Sequence, residues 1–455
     1  MSNEVNFGPE GSFGSFGSFG SFGSFGSFGS FGSFGSFGSF AAGPGNPPLV
    51  SSALITNRDG IAGAWIKGSG NGVPNNPEET AAYLERLSPG VRAGIFALEL
   101  ATRVGFGFED NWAQVYHLKV KNGAPPKTEY KPLIGMKRPS DKAFWDQLTL
   151  VANYADLRQD RMHEILAQLG APTEFLRAIA FVEPARTPHT FELLALAHWF
   201  ANFVEMRLKF ALNCKRPIEY SPQIQPMIWT PTHGTLPSGH ATEAFMMARV
   251  LWLLLRKAAA APYSRNIWGE MMMRQAARIA INRTVAGVHF PVDSAAGAVL
   301  GLTLGKYFVD RCCGAKVGKG WCFDGTKYGH DTDTGKDYDI DFDWRTYYDP
   351  GTQDGNTDPH QKHTVSWVSR GHCGDEDACG DAEEGHQDVR GDMADSVVGD
   401  ADLPAEELDQ IDDAIAVIVG IAGIAHAVAE LADDGGEKAA WAIMTTDTVP
   451  KQAAV

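Results

Sequence analysis

The sequence is short of cysteine pairs, of long apolar runs and of a basic start, and each shortage excludes something. Its six cysteines are Cys214, Cys312, Cys313, Cys322, Cys373 and Cys379, with no C-x-x-C spacing of a zinc site. Six in 455 residues is too sparse for the disulfide framework of a small secreted domain. Cys214 reads as a small buried apolar residue. The N-terminus, Met1 to Phe7, has no basic segment leading into an apolar one. No secretory leader is expected, which leaves the cytoplasm as the default location. The longest apolar stretch, 414–429, is interrupted by His426 and suits a packed helix better than a membrane span. Strand signals are also few.

Charge is unevenly distributed. Residues 324–455 hold 31 Asp and Glu against 8 Lys and Arg, while residues 1–323 hold 24 against 31. A mildly basic body therefore carries an acidic C-terminal section. The basic residues are scattered rather than striped, which excludes a nucleic-acid binder and suits a small anionic ligand.

Four regions follow from composition. Residues 1–48 contain ten copies of Gly-Ser-Phe over 11–40, then a Gly/Pro linker. With Gly at every third position no core can form, so this segment is expected to be disordered. Its aromatic side chains are candidates for self-association into a homo-oligomer; a tolerated repeat expansion is the simpler alternative. Residues 49–315 read as an α-helical catalytic domain, apart from a Gly/Pro/Lys-rich connection near 122–138. Helices are expected over 141–170, 191–214, 240–257, 268–283 and 291–309. Residues 316–400 read as an acidic Gly/Asp-rich loop region, and 401–455 as a C-terminal helix and tail. The expected fold class is all-α, a helical-bundle core. Asp331, Asp333, Asp337 and Asp339 alternate as calcium ligands can, but Gly335 is misplaced for a calcium loop and no Glu closes it. A solvated acidic loop is the other reading.

Three fragments carry the chemistry: Lys209 to Arg216-Pro217, then Pro237-Ser238-Gly239-His240, then Arg283 to His289 and Asp293. Each alone has an ordinary structural reading. Together they would bury three cations in apolar helices without partners unless an anion is supplied. Arg216 and Arg283 can each fork onto oxyanion oxygens, and Lys209 adds a point charge. Ser238 adds a hydroxyl, and Gly239 lets a ligand approach the start of a helix. Asp293 can accept the Nδ1 proton of His289 and present Nε2 as nucleophile or metal ligand. His240 can move a proton on the opposite side.

These fragments resemble the signature shared by vanadium-dependent haloperoxidases and type 2 phosphatidic acid phosphatases. The likeness covers about 110 residues, and its one departure is Asn282, where the pattern has Ser. The resemblance implies that Lys209, Arg216, Ser238, Gly239 and Arg283 bind vanadate or phosphate. It implies that His289 ligates vanadium or attacks phosphorus, and that His240 is the acid–base residue. Ala241 after His240, and His233 seven residues before it, are similar to the haloperoxidase branch. That branch implies a vanadate cofactor, hydrogen peroxide and halide (bromide or iodide) as reactants, an organic acceptor, and His233 assisting the bound peroxide while Lys209 polarises it. The alternative is a soluble phosphatase that hydrolyses phosphate monoesters through a phosphohistidine.

Overall fold

The computed structural model describes residues 48–64, 84, 86–109, 111–121, 127–258, 263–313, 315–318, 320–331, 335–349, 360–361 and 365–370. The Gly-Ser-Phe repeat and the helix expected within 401–455 lie outside these residues.

Nine helices are named here: α1 (Pro48–Ile61), α2 (Pro89–Thr102), α3 (Asp141–Asn153), α4 (Arg158–Ala167), α5 (Thr173–Ala180), α6 (Pro188–Leu212), α7 (Gly239–Lys257), α8 (Asn266–Val285) and α9 (Pro291–Cys312). Their starts follow local rules. Ser140 caps α3 by accepting from Ala143 N at 3.1 Å. Proline occupies the first turn of α2, α6 and α9, where its missing N–H costs nothing. The helix expected over 141–170 is broken by a 3-10 turn at Tyr154–Leu157.

Helix α7 is the axis of the core, packed against α6, α8 and α9. Almost every residue of α7 and α9 is buried, so both are apolar all round rather than striped. Closest approach comes from small residues on α9. A Cβ at Gly297 would lie 2.7 Å from Ala241 Cβ, and one at Gly301 would lie 2.4 Å from the Thr242 carbonyl oxygen.

The all-α expectation is overturned by a five-stranded mixed sheet. Strands β1 (Val104–Glu109), β2 (Trp112–Lys121) and β3 (Lys127–Lys137) form an antiparallel meander. β4 (Trp321–Asp324) joins β3 in parallel. Four short strands in two ladders intervene: β5 (His330–Asp331) with β6 (Lys336–Asp337), and β7 (Tyr348–Asp349) with β8 (His360–Gln361). Then β9 (Val368–Arg370) pairs antiparallel with β4, giving the order β1-β2-β3-β4-β9. The "connection" near 122–138 is therefore largely strand. The meander has a short-range signal, the alternation of Val104, Phe106 and Phe108, with Asn111 at φ 68° between β1 and β2. β4 and β9 have none, because they pair with residues far away in sequence.

The sheet packs on α6 and α9, and His117 Nδ1 on β2 lies 3.0 Å from the Tyr307 hydroxyl on α9. Phe323, Tyr328, Phe342, Trp344, Tyr347 and Trp367 enter the same core as the helices. Cys322 on β4 is disulfide-bonded, while Cys214, Cys312 and Cys313 are free. Of the candidate calcium loop, Asp333 lies outside the described residues, and the Asp337 carboxylate is taken by His330 at 2.6 Å. Among the described residues no group of three His, Cys, Asp or Glu side chains could hold a metal ion, and no helix is long and apolar enough to cross a membrane.

Candidate active site

The three fragments meet where α6 and α8 end and α7 and α9 begin. Lys209 lies in the last turn of α6, Arg283 in the last turn of α8, Ser238 just before the first residue of α7 and Asp293 in the first turn of α9. Backbone bonds lock the junction. Ser238 N donates to Asp293 O at 2.9 Å, and Val288 N donates to Arg283 O at 3.2 Å.

His289 is held by a buried triad. Its Nδ1 lies 3.0 Å from Asp293 Oδ2 and 3.2 Å from Thr235 Oγ1, and Thr235 Oγ1 donates to the same carboxylate oxygen at 2.5 Å. Phe290 N adds a bond to that oxygen at 2.8 Å. On the other face Arg216 Nη1 approaches His289 Nε2 at 3.0 Å. A guanidinium can only donate, so Nε2 accepts and the proton sits on Nδ1. This is the tautomer a nitrogen nucleophile requires. Burial pushes the His289 pKa well down, helped by the charges of Arg216 and Lys209. Burial raises Asp293 to about 6, against the bonds from Thr235 and Phe290 that favour its anion.

The cations divide into two kinds. Lys209 is tied down by three backbone carbonyls, those of Pro237, Thr235 (3.4 Å) and Gly234 (3.5 Å). Arg216 is similarly committed, with Nε to His233 O at 3.1 Å and Nη1 to Val288 O at 2.9 Å. Both therefore shape the loop as well as charging it. Arg283 is different: Nη2 bonds Ile165 O and Gln168 Oε1, both at 3.1 Å, while Nε and Nη1 are buried without a partner. The Ser238 hydroxyl is likewise buried and unpartnered, and it does not cap its own helix. Burial lowers Lys209 to about 8, and Arg216 and Arg283 each to about 10. Unpartnered donors on buried side chains are costly unless a ligand completes them. A small oxyanion does so.

His240 Nε2 lies 2.9 Å from the Gln168 carbonyl oxygen, which fixes the proton on Nε2 and leaves Nδ1 basic. Burial, with Arg283 nearby, lowers its pKa to about 3, so the imidazole is neutral before an anion enters. His233 Nδ1 lies 3.1 Å from Arg216 Nη2 and 3.1 Å from Gly234 O. Facing a pure donor and a pure acceptor, that nitrogen serves one at a time; it sits beside Arg216 as a tether. Burial depresses its pKa to about 2. Gly239 leaves room for a carboxylate: a Cβ there would fall 2.4 Å from Glu205 Oε1.

The structure thus brings together Lys209, Arg216, His233, Ser238, Gly239, His240, Arg283, His289 and Asp293. Sequence reasoning missed Thr235, Gln168 and Glu205. Glu205 had a signal, a charged residue one turn before Lys209 in an apolar run. Thr235 lies between two motif residues in an unremarkable loop. Gln168 had no signal, because its segment is joined to the site only by folding.

Together these are features of a candidate oxyanion site: buried unpartnered donors beside an oriented histidine nitrogen, set at helix ends. Residues 191–310 match the family described as the PAP2 superfamily. No curated protein matches the chain. Among solved structures, a transmembrane PAP2-type phosphatidylglycerolphosphate phosphatase from Bacillus subtilis is 21% identical with a TM-score of 0.30, over 37% of this chain and 85% of that one. At that score the likeness carries no argument here.

Proposed function

We propose that this protein is a phosphatase that hydrolyses phosphate monoesters through a phosphohistidine on His289. The observation that carries the reading is the pairing of a His289 Nε2 lone pair with buried, unpartnered donors on Ser238 and Arg283. The PAP2 superfamily domain supports the same reaction class.

In this reading Arg283 and Ser238 bind the non-bridging oxygens, and Lys209 and Arg216 add positive charge. His289 Nε2 attacks phosphorus as the P–O ester bond breaks. The dianion restores proton affinity to His240, whose Nδ1 then gives its proton to the departing alkoxide. In the second half, His240 takes a proton from water as the water oxygen attacks phosphorus and the P–N bond breaks. The products are an alcohol and inorganic phosphate. Asp293 and Thr235 keep the Nδ1 proton in place throughout.

Orthovanadate fits the same donors, and His289 Nε2 would be its nitrogen ligand. Bound there it would supply Lewis-acid chemistry of the kind a haloperoxidase needs. No comparison favours that branch, and His233 beside Arg216 does not separate the two, so the phosphatase leads.

The test is turnover of p-nitrophenyl phosphate by the full chain, with and without orthovanadate, beside His289→Ala. Vanadate-inhibited turnover, lost at least about a thousandfold in the variant, is expected for a nucleophile. Vanadate-dependent bromination of a phenolic dye by peroxide and bromide, with no phosphate released, would overturn the phosphatase reading.

A further inference from the structure

We infer that Gln168 is a further donor of the oxyanion pocket, its side-chain amide contacting the oxygen that lies between Arg283 and His240. The inference rests on the oxyanion reading above but not on the family resemblance. Gln168 follows α4 and lies outside the 191–310 domain.

The orientation of its amide is fixed by the Arg283 guanidinium directly and by that of Arg161 through Asn282. Arg283 Nη2 lies 3.1 Å from one end of the Gln168 amide, and because a guanidinium only donates, that end is the oxygen. Asn282 Nδ2 donates to the same oxygen at 2.9 Å. Asn282 is itself oriented from its far side, where Arg161 Nη1 donates to Oδ1 at 3.3 Å. Glu164 Oε2 accepts a second bond from Asn282 Nδ2 at 3.2 Å. Two donors fill the lone pairs of Gln168 Oε1, so Nε2 is the end left over. Gln168 is 1% exposed, and Nε2 is buried with no partner.

This leftover donor sits among like company. Arg283 Nε and Nη1, on the residue that anchors Gln168, are also unpartnered, as is Ser238 Oγ. The backbone carbonyl of Gln168 meets His240 Nε2 at 2.9 Å. One residue therefore touches both the oxyanion arginine and the acid–base histidine. A donor wedged there completes its bonding only when an oxygen-rich ligand fills the pocket. The arrangement also accounts for Asn282 where the resembled pattern has Ser. An amide has separate acceptor and donor atoms, one for Arg161 and one for Gln168. A serine hydroxyl is a single short atom and cannot span both.

The experiment measures binding of inorganic phosphate and of orthovanadate to the full chain by calorimetry, with no need for turnover. Gln168→Leu is expected to weaken both about tenfold or more, the loss of one hydrogen bond to a charged group. Gln168→Glu, nearly isosteric, is expected to weaken both further, since its carboxylate opposes the anion and pairs with Arg283. Melting curves of the anion-free proteins run alongside. Wild-type affinity in Gln168→Glu overturns the inference, as does wild-type affinity in a folded Gln168→Leu. Should Gln168→Leu not fold, Gln168→Glu decides alone. A wild-type protein that binds neither anion overturns the oxyanion reading itself, whereas unaltered binding in the variants sinks only the role of Gln168.

Discussion

Arg283 illustrates what a buried cation costs and why it is kept. The residue is 1% exposed, with two of its guanidinium nitrogens unpartnered, so the anion-free protein bears the desolvation with little return. Replacing it by Met is expected to leave the anion-free melting temperature unchanged or raise it by about 1 kcal/mol equivalent. The wild type should gain about 2.7 kcal/mol at phosphate a hundredfold above its Kd, and Arg283→Met should gain none. A variant still stabilised by phosphate would remove Arg283 from the pocket. Lys209 sets a pH limit. Burial brings its pKa down to about 8, so its charge is present below that pH and lost above it. kcat/KM for a phosphomonoester should therefore fall as pH rises through about 8, since this ratio reports the free enzyme. Lys209→Met should sit near the high-pH limit of the wild type and lack that limb. A wild-type profile flat from pH 7 to 10 would contradict it.

At the scale of elements, the contact between α7 and α9 sets the position of the site. α7 starts with Gly239 and His240, and α9 holds Asp293 in its first turn, so a shift between these helices separates nucleophile support from acid–base residue. Gly301 controls that distance. A Cβ there would meet the Thr242 carbonyl oxygen at 2.4 Å and Met246 N at 2.9 Å, both backbone atoms that cannot swing away. Gly301→Val is expected to cost about 3 kcal/mol, the upper end for overpacking. Turnover should drop with it, even in the fraction that stays folded. Denaturant midpoints and specific activity check this together, and a variant as stable as wild type would show that the helices can part freely.

For the whole molecule, acid stability follows from its buried imidazoles. His240 and His289 both have pKa values pushed down by burial. Below about pH 6.5 the unfolded chain binds protons that the folded state refuses, so stability falls with falling pH, by about 1.4 kcal/mol per unit for each histidine. Asp293 acts in the opposite sense. Raised to about 6, it holds a proton in the folded state between about pH 6 and 4 that the unfolded chain releases, offsetting one histidine there. Urea midpoints should therefore drop most steeply just below pH 6.5, and His289→Asn should make the drop shallower. A midpoint constant from pH 7 to 5.5 would mean the two imidazoles are not held neutral.

Motif spacing and local helix signals were enough to single out eight residues of the candidate site and the helices that carry them. Lys209, Arg216, Ser238, Gly239, His240, Arg283, His289 and Asp293 stand at fixed spacings around helix ends, and helix ends are written locally, in prolines, caps and apolar periodicity. Tertiary structure decided what pairing over distance controls. The parallel seam of β3 with β4 joins segments nearly two hundred residues apart, and β4 has no partner visible nearby, so local signals alone point to an all-α fold. The same holds within the pocket. Residue types suggested two forking arginines and a lysine point charge, all free for an anion, but packing tied Lys209 and Arg216 to carbonyls and left Arg283 with donors to spare. It also carried Gln168 in from a segment whose own sequence says nothing of an anion. Local rules fix which groups are present; only the folded chain fixes which of their hydrogen bonds are already made.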